Sequence, residues 1–519
     1  MGEISNPILR GFYPDPSICR VEDDYYLVNS TFAYAPGVPI FHSTDLIHWK
    51  QLGHVLERRS QLNLENARMS DGIYAPTLRF HNGIFYMITT NVKGGGNFYV
   101  TAKTPAGPWS DPVYLPDAQG FDPSLFFEED KCYYIGQRAK KEAKYPGDCE
   151  IWIQELDLEK GELTGADYAV WDGALKTAFW VEGPHLYKRN GYYYILTAEG
   201  GTAFEHSICV ARSKSLLGEY EACPLNPIFT HRHLGKNSKI QNIGHGDLVE
   251  TKGGHWYIVM LGTRPIEGCA PLGRETFLAE VIWENDWPVI NPGEGKIREI
   301  QIIHEEINAK NKNMEKTNEK EQEWEPPIVW GMPMDKRCVY FRFPEENMYY
   351  IADKGKIGLK LLPQTIEDIA SPAYIGIRVD TFDFAIRTSM DFWPQGTEEA
   401  GLLYLYDEKN YVKFVITGAI CFEGEGFQEM KAVIVENGIE RILSTCAVTG
   451  SHHYIGFRLD GLRLDCILDG EEFVEEIDVR NLTTEVTYGF VGCSAGIYAS
   501  SNHGERDKNR AAFFTELLL

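Results

Sequence analysis

The sequence predicts an all-β protein, a five-bladed β-propeller followed by a β-sandwich. Aromatic residues make up 13% of the chain, and strands favour them. A hairpin-like pattern recurs in the first three hundred residues, and short stretches of alternating apolar and polar residues fill the last two hundred. With 519 residues, the chain is too long for one ordinary core, so we expect two or more domains.

Five stretches of the first part share one pattern. Each has Pro at its second position and an aliphatic residue at its fourth, then a polar turn and an aromatic pair; Gly replaces Pro in the fifth. The stretches begin at Asp15, Ala75, Asp122, Gly183 and His245. About four strands per repeat at this spacing is typical of a propeller blade. An unrelated series of hairpins in a β-sandwich is the alternative.

The character of the chain changes near its middle. Residues 305–327 are dense in Glu, Lys and Asn and end in a double proline, which predicts a linker or mobile surface segment. Residues 328–519 alternate between apolar and polar positions and are broken by turn residues, as in a β-sandwich. We therefore expect a propeller over 1–304, a polar linker over 305–327 and a sandwich over 328–519.

Charge and cysteine usage exclude several classes of partner and site. The net charge is −25 and there is no basic run, so neither nucleic acid nor an anionic membrane surface is expected as a partner. The 11 Cys residues are scattered without a C-x-x-C pair, which argues against a disulfide scaffold or a zinc site. No signal-peptide pattern or membrane-length apolar run is present, and we expect a cytoplasmic protein.

The repeat places acids at matching positions. Asp15 and Asp122 share one motif position, Glu182 comes one residue before it, and His245 occupies it in the fifth repeat. In a propeller these side chains should meet at one end of the central channel. Hydrogen-bonded groups that close the ring, or ligands of a structural cation, are the alternatives to catalysis.

If the three acids are catalytic, glycoside hydrolysis is the reaction that they fit, because the sequence has no motif for a different nucleophile. The chain has no G-x-S-x-G, P-loop or H-E-x-x-H pattern. Hydrolysis of a glycosidic bond uses one protonated carboxyl group as donor and one ionised group to activate water. A third acid nearby can raise the pKa of the donor and orient it.

The acid-bearing motifs NPILRGFYPDPS, FDPSLFF and WVEGPHLYKRNGYYYILTAEGG, with GHGDLVE, LGTRP and GRETFLAEVIWENDWPVINPG, carry a resemblance over nearly the whole chain. The sequence resembles glycoside hydrolase family 43, in its β-xylosidase and α-L-arabinofuranosidase branch. The resemblance implies inversion, with Asp15 as general base, Glu182 as general acid and Asp122 tuning the pKa and orientation of Glu182. It also implies base and acid carboxyls roughly 6.5–9.5 Å apart.

Further site residues follow from the same resemblance. His245 resembles an axial histidine that lies over the sugar or helps hold calcium, and Arg264 in LGTRP resembles an arginine that bonds sugar hydroxyls. Phe32 and Tyr74 are candidates for hydrophobic walls around the ring; many members have Trp where this chain has Tyr74. Structural packing or ion pairing is the alternative for each of the four residues.

The expected activity is that of an inverting, exo-acting glycosidase. A β-1,4-xylosidase acting on xylo-oligosaccharides ranks first, and an α-L-arabinofuranosidase acting on arabinoxylan-derived oligosaccharides ranks second. A non-catalytic sugar-binding propeller ranks third. The C-terminal domain, concanavalin-like by resemblance, is expected to help close the pocket. No cofactor is required, a Ca²⁺ ion near His245 is left open, and so is a homo-oligomer.

Overall fold

The computed structural model describes residues 2–304, 326–418 and 428–519, apart from 176, 178, 506 and 508. Within these ranges β-strands dominate, and the α-helix is the single turn α1 (Thr484–Thr487). The all-β prediction is confirmed. The predicted linker lies outside the described residues except at its last two positions. No helix in the described ranges is long and apolar enough to cross a membrane.

The first part of the chain forms five antiparallel sheets in succession. Its strands are β1 (Gly2–Ser5), β2 (Ser17–Val21), β3 (Asp24–Val28), β4 (Tyr34–Ala35), β5 (Gly37–Ser43), β6 (Lys50–Leu56), β7 (Gly72–Ile73), β8 (Thr77–His81), β9 (Ile84–Val92), β10 (Gly96–Ala102), β11 (Val113–Tyr114), β12 (Ser124–Glu128), β13 (Lys131–Ala139), β14 (Cys149–Asp157), β15 (Glu162–Trp171), β16 (Glu182–Arg189), β17 (Tyr192–Glu199), β18 (Ser207–Ser213), β19 (Glu221–Ala222), β20 (Gln241–Glu250), β21 (Trp256–Thr263), β22 (Glu275–Glu284), β23 (Trp287–Ile290) and β24 (Ile300–Ile303). The sheets are β2-β3-β5-β6, β11-β10-β9-β7 with β8 also on β9, β12 to β15, β16 to β19, and β20 to β23.

The five sheets close a ring. Strands β2, β8, β12, β16 and β20 contact one another in that order, and β20 in turn contacts β2. Each of these strands belongs to one of the five sequence repeats. Asn82 and Gly83, at the turn between β8 and β9, both have positive φ, as the Asn-Gly pattern of a tight hairpin predicts. Strand β1 pairs with β24 and so joins the two ends of this part.

A buried aspartate ties the inner strands together. Asp247 in β20 accepts hydrogen bonds from Ser17 of β2 (2.6 Å), Arg79 of β8 (2.8 Å) and Tyr187 of β16 (2.6 Å). Burial alone would raise the pKa of Asp247, but the charge and hydrogen bonds of Arg79 hold it well below its usual range. Four of the five sheets thus meet at one ionised carboxylate.

The C-terminal part forms two antiparallel sheets. Its strands are β25 (Tyr340–Phe341), β26 (Tyr349–Ile351), β27 (Ile357–Lys360), β28 (Ala373–Arg378), β29 (Asp383–Asp391), β30 (Glu399–Asp407), β31 (Asn410–Gly418), β32 (Gln428–Glu436), β33 (Ile439–Val448), β34 (His452–Asp460), β35 (Arg463–Leu468), β36 (Glu471–Asp478), β37 (Ser494–Ser500) and β38 (Ala511–Phe514). The sheet orders are β26-β27-β38-β29-β34-β35-β36 and β28-β37-β30-β31-β32-β33. They pack face to face, with the rings of Phe414 and Phe457 6.2 Å apart.

The two parts of the chain share one hydrophobic core. Strand β4 of the first part pairs with β25 of the second. The buried Arg342 donates from Nε to the Ala67 carbonyl, and Tyr34 donates its hydroxyl to Ser494 across the same junction. The C-terminal part is therefore packed firmly enough on the ring to contribute to a site there.

Candidate active site

A cavity of about 340 Å³ collects most of the predicted site residues. Its walls include the acids Asp15, Asp122 and Glu182, although these lie far apart in the chain. The predicted residues Phe32, Tyr74 and His245 also line it. The structure therefore brings six of the seven predicted site residues together.

The residues at the shared motif position of the repeat have the same left-handed backbone conformation, which directs their side chains into the cavity. Asp15, Asp122 and His245 have left-handed φ values of 50°, 54° and 44°. Gly183 has φ 55° at the matching position, and Glu182 precedes it at the start of β16. Left-handed residues other than glycine are strained, and they cluster at functional sites where the fold enforces them.

Gly183 is needed for close packing as well as for its φ. A Cβ atom at this position would lie 2.8 Å from Cε1 of the His245 ring. Only glycine lets β16 pass so near the imidazole. The glycine of the VEGP motif therefore places Glu182 and His245 in the same small space.

Asp15 is fixed by two side chains. Its Oδ2 accepts a hydrogen bond from the Ser30 hydroxyl at 2.6 Å, and its Oδ1 accepts one from Nη1 of Arg274 at 2.9 Å. The side chain is buried. The carboxylate is thereby held in one orientation at the cavity wall, as a group that must position a water molecule requires.

The other two acids hold protons more tightly than usual. Burial, followed by the negative charge of Asp15, raises the pKa of Glu182 to about 8, with Arg274 opposing. Burial and the charges of Glu182 and Asp15 raise the pKa of Asp122 well above its usual range. Three carboxyl groups share this cavity with the guanidinium of Arg274. Because one positive charge cannot balance three negative ones, Glu182 and Asp122 together keep a proton at neutral pH.

His245 lies between two of the acids. Its Nδ1 is 3.9 Å from Oδ1 of Asp15 and 4.0 Å from Oδ2 of Asp122. Burial lowers the pKa of its imidazole. The imidazole therefore lines the cavity as a neutral ring close to both carboxyl groups.

The surroundings of His245 do not fit a calcium ion held by protein ligands. In the described ranges, no group of three or more His, Cys, Asp or Glu side chains is arranged to hold a metal ion. Calcium prefers six to eight oxygen ligands, about 2.3–2.6 Å away.

Arg264 is the predicted residue that the structure does not bring to the cavity. Its Nε and Nη2 donate to the buried carboxylate of Glu275 at 2.6 and 2.8 Å. Its guanidinium also lies 5.0 Å from the ring centre of Phe382 in the C-terminal part. Because Glu275 takes up its charge, Arg264 stabilises the junction of the two parts and does not line the cavity.

Arg274 occupies the place that the sequence predicted for Arg264. Its Nη1 bonds Asp15, and its Nη2 donates to the carbonyl oxygen of Phe490 at 3.1 Å. The motif GRETFLAEVIWE carries this arginine, but nothing in one sequence separates it from the arginine of LGTRP. Both flank the connection between β21 and β22, and the course of that connection decides which one reaches Asp15.

The C-terminal part supplies one aromatic wall. Phe490 lines the cavity, with its ring stacked 6.1 Å from Phe32 at an interplanar angle of 20°. The hydroxyl of Ser70 accepts the Phe490 N–H at 3.0 Å. Tyr74 lies 5.0 Å from Phe32 and completes the wall. Sequence reasoning missed Phe490 because no local pattern links it to residues more than four hundred positions away.

Comparison with known proteins gives consistent results for both parts of the chain. The model of glycosyl hydrolases family 43 matches residues 4–288, and that of the beta xylosidase C-terminal concanavalin A-like domain matches residues 334–515. A xylosidase/arabinosidase of Butyrivibrio fibrisolvens is 48% identical over 509 residues, 96% of either chain. A non-reducing end alpha-L-arabinofuranosidase of Bacteroides ovatus is 36% identical over 98% of this chain and 93% of its own. The crystal structure of a xylan beta-1,4-xylosidase from Bacillus halodurans superposes with a TM-score of 0.87, at 31% identity over 99% of each chain.

Proposed function

The chain belongs to glycosyl hydrolase family 43, and from this premise we propose that it releases single pentoses from the non-reducing ends of oligosaccharides, with inversion. The observation that carries the proposal is the meeting of Asp15, Asp122 and Glu182 in one cavity, with the pKa of Glu182 raised to about 8. A protonated acid beside a fixed carboxylate is what hydrolysis of a glycosidic bond needs at neutral pH.

In the proposed reaction the three acids have separate roles. Glu182 gives its proton to the glycosidic oxygen as the bond to the anomeric carbon breaks. Water attacks that carbon from the opposite face and passes its proton to Asp15, the general base. Burial and the charge of Asp15 keep the pKa of Glu182 high. Asp122 accepts a hydrogen bond from the N–H of Gly183, the residue after Glu182, and its proposed role is to hold Glu182 in its orientation. Arg274 holds Asp15 in place throughout.

We interpret the ring of five sheets as a five-bladed propeller. The closed contacts of β2, β8, β12, β16 and β20 support this reading. The propeller is proposed to span residues 1–304 and the linker 305–327, and a concanavalin-like sandwich to span 328–519.

The proposed substrates are pentose-containing oligosaccharides. Xylo-oligosaccharides rank first, since relatives named for β-xylosidase activity cover most of the chain. Arabinofuranosyl side chains rank second, since the Bacteroides ovatus relative is named for their removal. Phe490 narrows the cavity from the C-terminal side, which favours chain ends over internal bonds.

NMR of the first-formed product on xylo-oligosaccharides tests this proposal. We expect free xylose as its α-anomer, because inversion converts the β-linkage. A β-anomer formed first would overturn inversion. Parallel assays on nitrophenyl β-xyloside and α-L-arabinofuranoside rank the two sugars, and strong arabinoside turnover beside negligible xyloside turnover would reverse our order.

A further inference from the structure

The cavity has a buried end and an open end. Asp15, Asp122 and His245 are only 5%, 7% and 5% exposed, whereas the lining aromatics Trp180 and Phe490 are 39% and 37% exposed. A terminal sugar must pass inward to reach Asp15. The rest of an oligosaccharide, which leaves after bond cleavage, stays at the open end.

Trp180 lies beside the path of the leaving group. It comes two residues before Glu182, and both line the cavity. Glu182 must reach the oxygen between the two sugars, so the ring next to it on the open side faces the departing sugar. Phe490 stacks instead against Phe32, on the wall shared with Tyr74.

The position of Trp180 is fixed before any substrate arrives. Its backbone has a left-handed φ of 54°, and its N–H donates to the Gly147 carbonyl at 2.9 Å. A Cβ at Gly147 would lie 3.2 Å from the indole Cε2, and the ring of Phe121 packs 5.8 Å away. An aromatic face that is already ordered binds a sugar ring without a further loss of conformational entropy.

A buried carboxylate holds the segment that leads to Trp180. Glu199 has no exposed surface and accepts the N–H groups of Ala174 (2.9 Å) and Leu175 (3.0 Å). The next residue, Gly200, donates its N–H to the Phe179 carbonyl at 2.8 Å. The stretch before Glu182 is therefore tied at both ends to strand β17 and the residue after it.

We propose that Trp180 forms the face against which the leaving-group sugar packs, and so sets the preference for oligosaccharides over substrates with a small leaving group. This inference rests on the proposed function and assigns Trp180 a specificity role. Phe179, the neighbouring aromatic residue, offers a matched control, because it is 51% exposed, packs on Tyr145 and is not among the residues that line the cavity.

The test compares two substrates with the same terminal sugar, xylobiose and β-xylosyl fluoride. Trp180→Ala is expected to lower kcat/KM for xylobiose on the order of tenfold, which corresponds to about 1.4 kcal/mol. For the fluoride, whose leaving group has no ring, the change should be about twofold at most. Trp180→Phe should restore most of the loss, and Phe179→Ala should leave both rates near those of the wild type.

The outcomes separate this inference from the proposed function. Equal losses of Trp180→Ala on both substrates, or no loss on either, would overturn the role of Trp180 while the wild type stays a xylosidase. If the wild type prefers arabinofuranosides, the same comparison is made with an arabinofuranosyl oligosaccharide and fluoride. Wild-type inactivity on both pentosides would overturn the proposed function and the inference with it. Thermal melting of each variant shows whether it is folded.

Discussion

Two acids on neighbouring inner strands, the fully buried Asp247 and the half-buried Glu182, differ in what surrounds them. Asp247 has a guanidinium, Arg79, and two hydroxyl donors on its carboxylate, and its pKa is well below the usual range. Glu182 is half-buried; its partial removal from water and the negative charge of Asp15 raise its pKa to about 8, with Arg274 only partly compensating. Burial disfavours charge at both positions. The guanidinium bonded to Asp247 therefore keeps it ionised, as a structural group that holds the inner strands together. Glu182 has no such bonded cation and can keep its proton until it donates it.

Removing the reacting carboxyls should give the largest effect. Asp15→Asn and Glu182→Gln should each lower kcat by about 10²–10⁴-fold, the usual contribution of a general base or acid. Steady-state kinetics on the preferred pentoside would measure this, with thermal melting as the control for folding. Activity within tenfold of the wild type would remove that residue from its proposed role.

Replacing Asp247 should lower the stability of the fold. Asp247→Asn leaves Arg79, whose side chain is 16% exposed, without its counter-charge, which should cost about 3 kcal/mol of unfolding free energy. Urea denaturation followed by fluorescence would measure it.

An exposed ion pair provides the control for this effect. Lys131 and Glu155 pair at 2.6 Å with side chains 55% and 39% exposed, so Glu155→Gln should leave the unfolding free energy close to that of the wild type. Equal losses of unfolding free energy for Asp247→Asn and Glu155→Gln would show that the pair of Asp247 and Arg79 stabilises the fold no more than a surface ion pair does.

The proton on Glu182 should appear in the pH dependence of the rate. Glu182 donates only while protonated, so kcat/KM should fall as pH rises through about 8, approaching tenfold per pH unit beyond it. The pH profile of the wild type would show this limb. A fluoride leaving group needs less protonation, so its profile should be flatter. An alkaline limb that persists unchanged in Glu182→Gln would assign the titration to another group.

Most of the acid cluster could be predicted from sequence, because the repeat carries its geometry. Asp15 and Asp122 occupy one motif position, and in the ring of inner strands that position faces one cavity. Glu182 precedes the position by one residue and still reaches the cavity, because Gly183 takes the left-handed conformation there. Periodicity was enough for these residues, since each follows from the same local pattern.

Other parts of the site depend on contacts that no local pattern encodes. Arg264 and Arg274 flank one connection, and the course of that connection places Arg264 on the buried Glu275 and Arg274 on Asp15. Phe490 belongs to the C-terminal part and reaches the cavity through contacts with Ser70 and Arg274 of the first part. Trp180 has an orientation set by the carbonyl of Gly147, on a different hairpin.

The guanidinium of Arg274 touches the carboxylate of Asp15 on one side and the Phe490 carbonyl on the other. Arg274 therefore links the carboxylate of Asp15 directly to the C-terminal part of the chain. Chimaeras that graft a relative's C-terminal module onto this ring would change the reaction centre itself, even with every residue of the ring preserved. For protein engineering, the C-terminal part cannot be exchanged independently of the ring.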